Sequence, residues 1–366
     1  MSQLVSKKEV DKFQGMLPDE VIAKCISKRF INVKEWVVLP FLNVSGDAIL
    51  ITRRSETARK AIVLLDNKQL IFIKEIPWYC SSKDFVVYQT QMLKSLYENG
   101  SKVPKIIPSI EGALFTILDY GLGESFLLVQ DFIVGETWNG SLTEALKASH
   151  QLAILHEQME HYYKKNESIY YPVSNSFSKS LEMLKVALDS INEKGVSNIC
   201  DFDSYYKYAV DKIESFRDEA YREGYSDILF PIHGDFNPWN LVFTNDKEVK
   251  SILDFDNSAL SNPIRDVVEM ILVFCVFKYK KNSTRFETAP SFFDISLALA
   301  MIKEYFKNSD YKFYDLMPPL ASTVCIELIA LAVARYDFVE YTDLYKIDTM
   351  IYESFMDIIK EIKKND

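Results

Sequence analysis

Residues 231–243 read PIHGDFNPWNLVF, and residues 251–256 read SILDFD. Between apolar runs the two stretches set three carboxylates, one histidine and two asparagines. Burying unpaired charge is costly, so an ordinary core does not select these groups. A site that gathers a metal ion and a phosphate-bearing ligand does need them, and the fold has to deliver them to it.

Phosphoryl transfer asks the protein for positioning, for a carboxylate that receives or orients the attacking hydroxyl, and for oxygen ligands to Mg²⁺. The kinase catalytic-loop pattern sets an Asp and an Asn five positions apart, and Asp235 and Asn240 have that spacing. Asp254 follows fourteen residues after Asn240, at the end of an apolar strand. Asp235 therefore reads as the catalytic base or hydroxyl positioner. Asn240 and Asp254 read as metal ligands, with Asp256 behind them as a further ligand or as support. His233 reads as a buttress of the loop, Trp239 as packing beneath it, His156 as a packed or capping residue, and Asp266 as a group holding the loop in place.

The surrounding pattern is α+β. An amphipathic helix is expected over 8–30. Strands follow at 48–52, 61–65 and 70–76, then a helix over 83–98 stopped by Asn99-Gly100, then strands near 113–119 and 125–133. Beyond Gly135 the texture is helical, over 141–164, 177–192, 203–223 and from 263 onward, interrupted by the quoted stretches. This predicts an N-terminal antiparallel sheet lobe with one main helix (1–133) and a larger, mostly helical lobe (134–366), hinged near 130–136. The catalytic loop, metal site and acceptor site are assigned to the second, with the quoted motif facing the cleft.

Bulk properties narrow the function. The formal net charge of −10 argues against general nucleic-acid binding, which needs a basic face, and leans slightly toward a cationic acceptor. Cys25, Cys80, Cys200, Cys275 and Cys325 are scattered, with no CxxC pair; free thiols in a reducing cytoplasm are the simplest reading. The first residues lack the apolar core of a signal peptide. The apolar runs at 270–277 and 316–326 are too short to span a bilayer and read as buried helices, so no membrane partner is expected. Nothing in the sequence indicates an oligomeric state.

HGDFNPWN followed by ILDFD resembles the paired signature of the aminoglycoside phosphotransferase and choline kinase superfamily, small-molecule kinases with a protein-kinase-like two-lobe fold. LAILH (152–156) and NPIRD (262–266) are similar to further landmarks of that family. The resemblance implies ATP or GTP and Mg²⁺ as cofactors and a small-molecule hydroxyl acceptor, such as an aminoglycoside, amino sugar or amino alcohol. It gives Lys74 of LIFIKEI the phosphate-binding role. It gives the adenine contact to the backbone near Gln130 to Phe132, in LLVQDFIVG. Two features depart from the family pattern. Gln89 stands where the family often has the Glu that pairs with the strand lysine. The turn RRSETARK (53–60) has no glycine, leaving Ser55 and Thr57 as candidate phosphate donors and a basic cluster at its tip. These departures keep a non-catalytic, kinase-like binding or scaffold protein open. Asp254-Phe255-Asp256 also matches a short metal-binding DxD pattern, which keeps a glycosyltransferase open.

Overall fold

The runs KAIVLL and LIFIKE form neighbouring antiparallel strands, β3 (Lys60–Leu65) and β4 (Leu70–Glu75), as β-branched and aliphatic residues favour on a half-buried pleated surface. The computed structural model describes residues 30–39, 44–52, 60–65, 67, 69–76, 82–119, 124–166, 170–194, 202–276, 293–309, 311, 313–334 and 344–364. The chain forms two compact units. The first comprises Met1–Thr137, Asn166–Tyr170 and Val242–Asn257; the second comprises Trp138–Lys165, Tyr171–Leu241 and Ser258–Asp366.

The first unit is built on a six-stranded sheet. With β1 (Phe30–Leu39), β2 (Val44–Thr52), β5 (Thr116–Asp119) and β6 (Glu124–Asp131), its order is β1-β2-β3-β4-β6-β5, and every pairing is antiparallel. Four strands thus precede the helix rather than the expected three. The β1–β2 register shifts between Asn32 and Glu35; such an irregularity breaks the period-two alternation by which a strand is recognised in sequence. The expected helix over 8–30 lies outside the described residues, apart from Phe30, which opens β1.

Helix α1 (Lys83–Glu98) begins where Ser82 Oγ accepts the amide of Phe85 (3.2 Å), with Asp84 in its first turn, both favourable at a helix N-terminus. It buries Phe85, Val86, Tyr88, Gln89, Met92, Leu93 and Leu96.

The hairpin of β8 (Leu241–Phe243) and β9 (Val249–Ile252) belongs to this unit from Val242 onward. Residues 242–257 thus lie with the sheet, although they follow the boundary expected after residue 133. The cause is direct bonding. Glu136 and Phe243 exchange both backbone hydrogen bonds at 2.8 Å, Ile252 N–H donates to Lys102 O (2.7 Å), and Lys250 Nζ donates to Val134 O (2.6 Å). Gly135 makes the approach possible: a Cβ there would meet Val242 Cγ1 at 2.4 Å and Phe243 O at 2.5 Å.

The second unit is helical, with α2 (Leu142–Lys165), α3 (Ser176–Lys194), α4 (Phe202–Arg222), α5 (Ile264–Cys275), α6 (Ile295–Lys307), α7 (Met317–Ala334) and α8 (Leu344–Lys363). It also carries a two-stranded ribbon of β7 (Phe230–Ile232) and β10 (Ala259–Ser261). The two long apolar runs form α5 and α7. The stretch Tyr314–Ala334 is apolar enough by composition to cross a membrane, with mean hydropathy 1.9, yet 94% of it is buried; α7 packs against α3, α4, α5 and α8. A helix that is apolar on all sides is stable in water only as the centre of such a bundle.

Candidate active site

Each unit carries one group of the residues singled out by sequence. In the first unit, β4 puts Lys74 in the interior, 4% exposed. Its Nζ forms ion pairs with Asp254 and, at 2.5 Å, with Asp256 Oδ2. Lys60, opposite Lys74 across the β3–β4 ladder, brings its Nζ to 3.6 Å from Asp254 Oδ2. Burial alone would lower the Lys74 pKa, but the two carboxylates outweigh it and hold the ammonium above its usual range. Burial likewise acts to raise Asp254, and Lys74 and Lys60 overcome it, keeping that carboxyl well below the ordinary carboxylate range. Asp256 is shifted up instead, by burial and by the charge of Asp254, against the pull of Lys74. Asp254 has φ 65°, in the left-handed region that non-glycine residues seldom adopt and that recurs at functional sites.

The departure noted at Gln89 has a structural answer. Its Nε2 donates to Asp256 Oδ1 (3.1 Å), so α1 supports the carboxylate pair rather than the lysine. Glu75, the neighbouring acid, faces elsewhere and accepts a hydrogen bond from Ser125.

Asp254 and Asp256 offer hard oxygen donors that already draw in ammonium groups. That donor chemistry suits Mg²⁺, which takes one or two carboxylates and completes its shell with phosphate and water oxygens. Among the described residues no group of three or more His, Cys, Asp and Glu could hold a metal. Lys74→Met should leave the buried Asp256 carboxylate without its cation and Asp254 with Lys60 alone, and destabilise the fold at pH 7 by about 3–5 kcal/mol. Millimolar Mg²⁺ should recover part of that loss in a thermal melt; a variant that melts like the parent would show the lysine not to be neutralising them.

The second unit holds the catalytic-loop group. Gly234, at φ 77°, supplies the left-handed turn that a side chain would strain and carries the chain into Asp235. Both Asp235 carboxylate oxygens are held, Oδ1 by Asn237 Nδ2 (2.7 Å) and Oδ2 by Asn240 Nδ2 (2.9 Å). Asn240 Nδ2 also donates to the Asp235 carbonyl (2.9 Å). With its nitrogen so used, Asn240 keeps its side-chain oxygen for a cation. Asn237 Oδ1 accepts the amides of Trp239 (2.9 Å) and Asn240 (3.3 Å), capping a 3₁₀ turn at Pro238–Asn240. Sequence reasoning passed over Asn237, although an Asn directly before a Pro at the head of a turn is a capping signal.

His233 is fully buried and its Nδ1 accepts the Asp235 amide (3.2 Å). Asp266, in the first turn of α5, accepts the amides of His233 (2.7 Å) and Gly234 (2.8 Å). Its Oδ2 also meets His156 Nε2 (3.0 Å), while His156 Nδ1 meets the Tyr305 hydroxyl (2.8 Å). Burial would raise Asp266, but these hydrogen bonds and the neighbouring histidines bring it below its ordinary value.

Of the other predicted contacts, Ser55 lies outside the described residues. Gln130 pairs with Phe72 in the β4–β6 ladder and bridges Ile106. The amides of Asp131 and Phe132 already donate to Lys105 O (3.0 Å) and Leu70 O (3.2 Å), so Phe132 would meet a base with its carbonyl rather than its N–H.

Residues 228–282 match the phosphotransferase enzyme family model. No curated protein sequence matches the chain. Among solved structures, an amicoumacin kinase has a TM-score of 0.59 at 14% identity, over 85% of this chain and 88% of its own. A choline kinase from Cryptosporidium parvum has a TM-score of 0.55 at 13% identity, over 95% and 97%. A microcompartment-associated aminopropanol kinase has a TM-score of 0.53 at 13% identity, over 93% and 95%. The segment that carries Asp235, Asn240, Asp254 and Asp256 is thus similar to the phosphotransferase enzyme family, and the chain shares its fold with these small-molecule kinases.

Proposed function

We propose that the protein is a Mg²⁺-dependent small-molecule kinase that moves the γ-phosphoryl group of ATP or GTP to a hydroxyl of its acceptor. The observation that carries this reading is the hydrogen-bonded pair of Asp235 and Asn240, at kinase spacing, inside the segment that matches the phosphotransferase family. Asp235 receives the proton of the attacking hydroxyl, and Asn237 and Asn240 fix its carboxylate for that task. Asn240, Asp254 and Asp256 would hold the metal, which would supply positive charge against the negative charge developing on the transferred group. Lys74, whose ammonium pairs with Asp254 and Asp256, binds the phosphates. Nucleotide use is supported by the amicoumacin kinase bound to AMP-PNP and by a spectinomycin phosphotransferase bound to ADP. The neighbouring kinases are named for small polar molecules, among them amicoumacin, choline and aminopropanol. These neighbours support a small-molecule hydroxyl acceptor for this chain. Cys275 and Cys325 are buried free thiols, in keeping with a cytoplasmic location.

A nucleotide-binding scaffold is the second reading, favoured by Gln89 in place of an acid and by the engagement of Lys74 with both carboxylates. Thermal melts with ATP or GTP, each with and without Mg²⁺, test the common premise. A Mg²⁺-dependent rise in Tm that Asp254→Asn abolishes is expected; no shift with either nucleotide would overturn both readings.

A further inference from the structure

The acceptor side of this reaction has its own buried polar constellation in the second unit, and the inference drawn from it rests on the kinase reading. On α5, Glu269 lies three residues beyond Asp266, the residue that holds the catalytic-loop amides. Positions i and i+3 share one helix face, so Glu269 continues the face turned to that loop, where the charge of Asp235 acts on it. Glu269 is 6% exposed, and its Oε2 has no hydrogen-bond partner; the nearest cation, Arg265 Nη2, stands at 3.6 Å. Arg265, 2% exposed, spends Nη2 on Glu327 Oε1 (2.9 Å), and its Nη1 has no partner either. Glu327 is fully engaged, by Arg265, by Lys179 Nζ (3.2 Å) and by Ser180 Oγ (3.1 Å). The cluster reaches solvent through Lys179 on α3, whose side chain is 31% exposed.

Native interiors pair nearly all their buried polar atoms. Here one acceptor and one donor stay open on adjacent turns of one helix, beside the catalytic loop. A hydroxyl complements such a pair, because its O–H donates to the carboxyl and its oxygen accepts from the guanidinium. An ammonium would meet the charge of Arg265 and accept nothing from it. Burial pushes the Glu269 carboxyl up to about 8, with Asp235 and Glu327 adding to the rise and Arg265 and Lys179 opposing it. Near neutral pH it is therefore an uncharged partner, which also suits an uncharged ligand group.

We propose that Arg265 and Glu269 form a hydroxyl-reading subsite, which holds a second hydroxyl of a polyol or sugar-ring acceptor while Asp235 receives the reacting one.

The test is nucleoside diphosphate release by the full chain with ATP or GTP and Mg²⁺. The acceptors are sugars and amino sugars, their deoxy counterparts, and single-hydroxyl amino alcohols such as choline. Polyhydroxylated acceptors are expected to exceed their deoxy or single-hydroxyl counterparts at least tenfold in kcat/KM, since a site built to bond a hydroxyl rejects analogues lacking it. Glu269→Gln and Glu269→Leu should each raise acceptor KM about tenfold or more, with a smaller change in kcat and an unaltered KM for the nucleotide. Turnover with an unchanged acceptor KM in both variants, or equal turnover of choline and the polyols, would show that the pair holds a water only and would overturn the subsite alone. Silence of the parent chain on every acceptor would overturn the kinase reading and the subsite with it.

Discussion

Asp266→Ala should cost about 3–5 kcal/mol of stability at neutral pH, the range for removing one member of a buried charged network. It orphans three groups at once: the amides of His233 and Gly234, and His156 Nε2. Each unsatisfied buried donor costs about 1–3 kcal/mol by itself. His156 is further tied to Tyr305, so the disturbance passes from α5 to α2 and α6. The effect has a defined pH dependence. The folded-state pKa of Asp266 is lowered, so its stabilisation is present above the ordinary carboxylate value near 3.9 and fades as pH falls through the folded-state value. The gap in Tm between parent and variant should therefore be full at pH 7 and narrow in strong acid. Turnover should fall as well, because the two freed amides directly precede Asp235, and a displacement on the order of 1 Å at a reacting group can cost about 10²-fold. A variant melting with the parent at pH 7 would contradict the role assigned to Asp266.

Asp235→Asn should lower kcat by about 10²–10⁴-fold, the usual contribution of a positioned general base, while leaving the fold intact. The carboxylate is only half-buried, and its partners are the neutral amides of Asn237 and Asn240. An asparagine can keep one of those two bonds by rotation, so no buried charge is stranded. Nucleotide affinity should change little, since the role proposed for Asp235 is toward the acceptor hydroxyl. This separates it from Asp254→Asn, which disturbs the Lys74 ion pair and should weaken nucleotide and metal binding together.

Legibility in the sequence followed the range of the interactions. Asp235 and Asn240 were found because their bond spans one turn and leaves a fixed spacing. The helices at 142–165, 176–194 and 202–222 were visible from their periodic apolar faces, and the fold class followed from sheet-forming runs preceding helical ones. β1 was missed because its register is irregular against β2. The affiliation of 242–257 depends on hydrogen bonds to Glu136, Lys102 and Val134, partners more than a hundred residues away that leave no local pattern. Gln89 was identified as an oddity, but its partner Asp256 lies 167 positions on. Glu269 was hidden by its setting: inside DVVEMILVFC a single acid reads as an interruption of a buried helix. Only the fold shows that Arg265 and Glu327 surround it and leave one oxygen open.

The central claim is that the chain transfers a phosphoryl group with Asp235 as the residue receiving the hydroxyl proton. The most direct measurement is acceptor-dependent release of ADP or GDP with Mg²⁺, by the parent chain and by Asp235→Asn, on preparations matched for Tm and nucleotide affinity. The account predicts turnover by the parent on at least one hydroxylated small molecule and a loss of about 10²-fold or more in the variant. Equal turnover by the two proteins would contradict it.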